Sequence, residues 1–300
     1  MRNIKELSCG LLFLGSLGSP TYTDDLGLSI YGGSREAVEL DSNVVALRVG
    51  LGTPFTLCSG TLVATNVVLT AKHCVTQALT EEVSCGSDGL SYNGSHVIRI
   101  QDPAEIGVYI GTRILFEAEP TARGRTTLTP SGPYLCNEDL ALVVLDRAIE
   151  DIEPASVRLS SRAQAEGYIR AVGYGQNDQF LPIGTKLYKA GVPVIAQGKG
   201  TSKSQTPLGV REFEVGEAIC NGDSGGPAFS EKTGAVIGVA SRGGACGSDV
   251  RHVYTTTTGF EELFDSAFAI AGGHPKLEPE GEWVLPEEGH AMRSGCSSGR

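Results

Sequence analysis

Residues 220–227 read Cys-Asn-Gly-Asp-Ser-Gly-Gly-Pro. Ser224 stands among glycines, Asp223 precedes it and Cys220 anchors the run. This composition suits a nucleophile carried on a tight, strained turn. Small neighbours let a substrate carbonyl approach, and free backbone N–H groups can hold an oxyanion. A nucleophile needs partners: the rest of the chain must supply a base, an orienting acid and an oxidising setting.

The base lies upstream. Residues 58–74 read Cys-Ser-Gly-Thr-Leu-Val-Ala-Thr-Asn-Val-Val-Leu-Thr-Ala-Lys-His-Cys. Two apolar runs, 61–63 and 67–70, flank an Ala-Thr-Asn turn, which predicts a β-hairpin. His73 follows the second strand, and the hairpin brings Cys58 near Cys74. A disulfide there would fix the loop that carries the histidine, contributing about 3 kcal/mol in the chain-entropy picture. An isolated histidine is more often structural, but this one adjoins a cysteine-flanked hairpin upstream of residues 222–226. The orienting acid is Asp139, in 137–145 (Asn-Glu-Asp-Leu-Ala-Leu-Val-Val-Leu). It abuts an apolar strand, so its carboxylate is buried and needs a partner. A histidine ring N–H meets that need and sets the tautomer that leaves the other ring nitrogen basic. Glu138 is the competing acid, and a plain strand-start aspartate is the bland alternative.

On these residues the chain resembles the chymotrypsin-fold (trypsin-like, S1-type) serine proteases, whose residue order is His, Asp, Ser. Residues 70–74 are similar to the family's Thr-Ala-Ala-His-Cys, 139–142 to its Asp-Ile-Ala-Leu, and 172–175 to its Ser-Gly-Trp-Gly. Residues 222–227 match it unchanged. The resemblance implies an all-β fold of two antiparallel six-stranded barrels with a C-terminal helix. It implies a serine endopeptidase working by a Ser224-His73-Asp139 triad through an acyl-enzyme, with the Gly222 and Ser224 N–H groups as oxyanion hole. Residues 30–33, Ile-Tyr-Gly-Gly, resemble the family's mature N-terminus. By that resemblance, cleavage before Ile30 frees an amine that pairs with Asp223. The bond cut follows Ser29, so the activating protease is not a tryptic one and stays unnamed.

The resemblance also implies disulfides Cys58–Cys74 and Cys220–Cys246. Cys85 and Cys136 then remain as a third pair whose connectivity the sequence leaves open, with Cys9 and Cys296 left over. By alignment to the family the primary pocket is lined by Ala218, Ile219, Ser241, Arg242, Gly243 and His252. Ala218 stands where trypsins carry the aspartate that binds lysine or arginine, so tryptic specificity is not expected. Either Ile219 and His252 fill the pocket and admit a small or medium apolar side chain, or His252, helped by Arg242, binds an acidic one. The first is favoured because a buried histidine tends to be neutral. Lys72 replaces a small residue of the family and is expected to extend to solvent.

Composition agrees with this reading. Short Val-, Thr- and Ile-rich runs broken by Gly and Pro suit an all-β chain, and residues 259–271 carry apolar side chains at helical spacing. Three hundred residues can form one such unit. The formal charge of −11 argues against nucleic acid or an anionic membrane as partner. Eight cysteines point to an oxidising compartment. Arg2 and Lys5 before the apolar residues 11–14, then small residues 15–19, read as a weak secretory signal. The expected organisation is a signal peptide (1–19), a short propeptide (20–29), the protease domain (30–271) and a Gly/Glu/Ser-rich tail (272–300) holding Trp283. No segment is long and apolar enough to span a membrane. The expected location is secreted, extracellular or periplasmic, with protein or peptide substrates, an activating protease and protein inhibitors as partners. No metal or organic cofactor is expected. A non-catalytic homologue using the barrels for binding is the alternative. An esterase with a Gly-x-Ser-x-Gly elbow is disfavoured by the His, Asp, Ser order and the lack of alternating helices.

Overall fold

The computed structural model describes Ile30 and residues 41–278, apart from 53, 79–82, 87, 93–95, 160–166, 177–181, 203–204, 244–245 and 248–251. The expected signal segment, propeptide, Cys9, Trp283 and Cys296 lie outside the described residues.

The first half runs β1 (Val44–Val49), β2 (Thr56–Ala64), β3 (Val67–Thr70), β4 (Thr76–Ala78), β5 (Val97–Ile100), β6 (Ile106–Tyr109), β7 (Ala122–Leu128) and β8 (Ala141–Leu145). The second half runs β9 (Tyr168–Gly173), β10 (Leu187–Gln197), β11 (Gly200–Thr201), β12 (Pro207–Leu208), β13 (Glu212–Val215), β14 (Pro227–Ser230), β15 (Val236–Arg242) and β16 (His252–Thr256), then helix α1 (Glu261–Ala271). Strands β1-β2-β3-β8-β7-β6 close one antiparallel barrel, and β10-β13-β16-β15-β14-β9 close the other. This is the expected architecture.

Strands such as β1 and β8 have two apolar faces because they have two places to bury them. In β1, Val45, Leu47 and Val49 fill the first barrel, while Val44 and Ala46 join the core between barrels. In β8, Ala141, Val143 and Leu145 point inward, while Leu142 and Val144 face that shared core. The unbroken apolar runs of the sequence result from this double burial. Helix α1 adds Phe264, Ala267 and Phe268 to the shared core. The second barrel is filled by Ile169, Val194, Phe213, Val215, Ile237 and Tyr254, together with Ile30.

The chain stays engaged beyond the expected domain limit at residue 271. Val157 N donates to Lys276 O at 2.8 Å, and Glu278 N donates to Val157 O at 2.9 Å. Arg158 pairs with the Glu278 carboxylate through both Nε and Nη2. The folded unit therefore extends to at least Glu278.

Candidate functional site

Strand register brings the base and the acid to one end of the first barrel. In the β3–β8 pairing Thr70 faces Ala141. Because the two strands run antiparallel, the C-terminal end of β3 lies beside the N-terminal end of β8. A short 3-10 turn after β3, Lys72–Cys74, carries His73, and Asp139 sits two residues before β8.

His73 Nδ1 lies 2.7 Å from Asp139 Oδ2, and the His73 backbone N–H donates to Asp139 Oδ1 at 2.8 Å. Ser241 Oγ donates to Asp139 Oδ2 at 2.7 Å. The Asp139 side chain is fully buried and that of His73 is partly exposed. Burial pushes the Asp139 carboxyl up, but the charge and hydrogen bond of His73, with Ser241, outweigh it and hold its pKa below the ordinary value. Burial works against the charged imidazole as well; Asp139 overcomes it and raises the His73 pKa above the usual 6.5.

Ser224 arrives from the second barrel, three residues before β14. Its carbonyl accepts from Ser59 N at 2.7 Å, and Ser59 Oγ donates to Gly222 O at 3.0 Å. Cys74 Sγ lies 3.6 Å from Ser224 O and 3.8 Å from His73 Nε2. His73 and Ser224 thus both border Cys74, while Asp139 holds the opposite ring nitrogen of His73. Gly225 has φ +80°, and a Cβ there would meet Ser59 O at 2.4 Å, so only glycine lets this turn press against β2 and β3. Gly222 has φ +97°. Neither the Gly222 nor the Ser224 N–H has a hydrogen-bond partner among the described residues.

Asp223 is turned inward. Its oxygens accept from Gly175 N at 2.8 Å and Cys220 N at 2.9 Å. Burial raises its pKa to about 7, moderated by those two N–H groups. Among the described residues no cation pairs with it. Ile30 is fully buried in the second barrel's core, with φ +45°.

The pocket residues meet one another. A Cβ on Gly243 would lie 3.4 Å from Ile219 Cγ1 and 3.6 Å from His252 Nδ1. His252 is fully buried, and its Nδ1 lies 3.4 Å from Ile219 N. Ala218 is also fully buried. Arg242 turns away to Glu212, at 2.6 and 2.8 Å, so its charge is already neutralised. That pairing weighs against the less favoured pocket reading, in which Arg242 helps His252 bind an acidic side chain.

Lys72 corrects a second expectation. It is 1% exposed, and its ammonium donates to the carbonyls of Pro130 (3.1 Å), Gly132 and Tyr134 (3.2 Å). Three donors meet three acceptors, so no partner carboxylate is needed. Burial lowers the Lys72 pKa, which the nearby Glu138 and Asp139 charges partly restore.

Cys58–Cys74, Cys85–Cys136 and Cys220–Cys246 are bonded. His73 lies with the Cys58 and Cys74 sulfurs, but a disulfide offers no thiolate to a metal.

The sequence pattern of the family described as Trypsin matches residues 30–263. The chain belongs to the trypsin family. It is 26% identical over 238 residues to chymotrypsin-C of Bos taurus, covering 76% of this chain and 82% of that protein. It is 30% identical to mannan-binding lectin serine protease 1 of Mus musculus, covering 67% of this chain and 30% of that longer protein. The cercarial protease of Schistosoma mansoni is 28% identical, over 64% of this chain and 73% of that one. A scabies mite inactivated protease paralogue has the same fold, with a TM-score of 0.57 at 16% identity, covering 79% of this chain and 99% of that one. Among the described residues no helix is long and apolar enough to cross a membrane.

Within this trypsin-family frame, three contributors to the site, Ser59, Asn137 and Glu212, were not read from sequence, and a fourth, Ser241, was expected only as a pocket residue. Ser59 ties the Ser224 turn to the first barrel, and Ser241 donates to Asp139. Asn137 and Glu212 hold the turn before Asp139: Asn137 N donates to Glu212 Oε1 at 2.8 Å. The non-glycine Asn137 φ of +65° was foreshadowed only by asparagine's tolerance of left-handed backbone.

Proposed function

We propose that this trypsin-family chain is a secreted serine endopeptidase. The observation that carries the proposal is the buried Asp139 carboxylate engaging both Nδ1 and the backbone N–H of His73, beside a serine turn with open N–H groups. The mechanism follows from these roles. Ser224 Oγ attacks the peptide carbonyl carbon while His73 Nε2 takes its proton. Asp139 fixes the tautomer and stabilises the imidazolium. The Gly222 and Ser224 N–H groups receive the oxyanion. His73 then protonates the leaving amine, and water hydrolyses the acyl-enzyme with His73 again as base.

The uncut chain is a weakly active precursor in this account. A buried carboxylate with no cation is unfavourable in its charged form. Cleavage before Ile30 supplies an ammonium at a residue already seated in the second barrel. Pairing with Asp223 would then fix the 220–224 turn. An unnamed protease makes that cut.

A small or medium apolar substrate side chain on the acyl side of the cut bond is the favoured reading. Ile219 and His252 both lie near Gly243, and the Arg242 charge is engaged by Glu212. The alternative of a non-catalytic binding module has a counterpart in the scabies mite protein, which is described as inactivated. Here His73, Asp139 and Ser224 are all present, which favours catalysis.

The test is hydrolysis of a peptide library by the form beginning at Ile30, with Ser224→Ala as control. Cleavage after alanine, valine or similar residues, lost in the control, is expected. Strong cleavage after lysine or arginine would overturn the pocket reading. No cleavage of any member would overturn the enzymatic one.

A further inference from the structure

The buried pair Glu212–Arg242 is unusual in its connections. Glu212 begins β13, and its side chain is fully buried. Its carboxylate accepts from Arg242 Nη1 at 2.6 Å and Nη2 at 2.8 Å. It also accepts from two backbone N–H groups, Asn137 on Oε1 at 2.8 Å and Gly209 on Oε2 at 2.8 Å. Asn137 is in left-handed backbone and stands two residues before Asp139. Its Oδ1 accepts from Arg211 N at 2.6 Å, so both ends of the residue are held by the second barrel. Arg242 further donates to Pro207 O at 3.1 Å. Nearby, Arg211 lies 3.8 Å from Glu138.

Ser241, next to Arg242, holds the Asp139 carboxylate directly. The end of β15 therefore reaches the acid by two routes. One is the Ser241 hydroxyl. The other runs from Arg242 through Glu212 to the Asn137 amide.

We propose that Arg242 and Glu212 form a positioning pair, which holds the strained Asn137 turn so that Asp139 meets His73 in the geometry a triad needs. The idea rests on Asp139 being the orienting acid. A carboxylate is required because two amides and a guanidinium converge on one point. A cation is required because a buried carboxylate is unstable without one. Small displacements of an orienting group cost large factors in rate.

The test measures the second-order rate of inactivation by a small fluorophosphonate against pH, using the form beginning at Ile30. This reagent has no peptide side chains, so pocket contacts of Arg242 do not enter. Arg242→Met and Glu212→Gln are each expected to slow the reaction about 10- to 100-fold. Their acid limbs should move to lower pH, since a displaced Asp139 supports the imidazolium less. Arg242→Lys should restore part of the rate. The double variant E212M/R242M removes both buried charges, so it is expected to fold where the single variants leave one charge uncompensated. It should recover thermal stability and not the rate, because the Asn137 amide still lacks its acceptor. Recovery of both, or single variants that lose stability while keeping rate and acid limb, would overturn the proposal. If the unmutated protein does not react at all, the enzymatic reading fails. The pair is then read from the low-field proton signal of His73 Nδ1–H. Its loss or shift in Arg242→Met supports the pair, and its retention overturns it.

Discussion

His73 can act as a base only while neutral, and Asp139 makes protonation easier by raising its pKa. Activity should therefore fall as pH drops through a value above 6.5. Asp139→Asn removes that support. It should slow turnover about 10⁴-fold by favouring the wrong tautomer and move the acid limb to lower pH. A pH profile of kcat/KM for the two proteins checks both effects; an unmoved limb would count against the assigned role. Lys72 offers a different residue-scale prediction. Lys72→Met leaves three carbonyls of residues 130–134 without their donor, at about 1–3 kcal/mol for each buried group left unpaired. A fall in the denaturation midpoint is expected.

At the scale of elements, the β2–β3 hairpin was readable because its apolar runs and its turn are contiguous in sequence. The convergence of His73 and Asp139 then needed only one strand pairing, β3 with β8. Lys72 was misread because its partners are 58 to 62 residues away and are backbone carbonyls, which every residue has. Glu212 escaped notice for the same reason: two of its partners are amides, and Arg242 pairs with it only once the second barrel has closed. The segment after α1 shows a third limit. Its composition reads as tail, yet Glu278 meets a cation on Arg158. Truncation after residue 271 removes that pair and the Val157 contacts, whereas truncation after 278 keeps them. The first should lower the melting temperature and the second should leave it nearly unchanged, by calorimetry.

For the whole molecule, the site is a product of two barrels meeting. The first supplies His73 and Asp139, and the second supplies Ser224 with the proposed oxyanion donors and proposed pocket residues. The turn carrying Ser224 is pinned to the first barrel by Ser59 and to its own barrel by Asp223. Among the described residues no cation pairs with Asp223, and in the proposed activation the amine freed at Ile30 supplies one. Folded pKa above unfolded pKa means that ionising Asp223 weakens the uncut fold as pH rises from 3.8 toward about 7. The proposed pocket residues could be named from sequence but their space could not be sized, because it depends on how Ile219, Gly243 and His252 pack. The central claim, a nucleophilic Ser224 activated by His73, is tested most directly by fluorophosphonate labelling followed by peptide mapping. The predicted result is covalent modification on Ser224, abolished by Ser224→Ala, strongly reduced by His73→Ala, and faster after cleavage before Ile30. Absence of labelling in the cleaved protein, or labelling that survives Ser224→Ala, would contradict it.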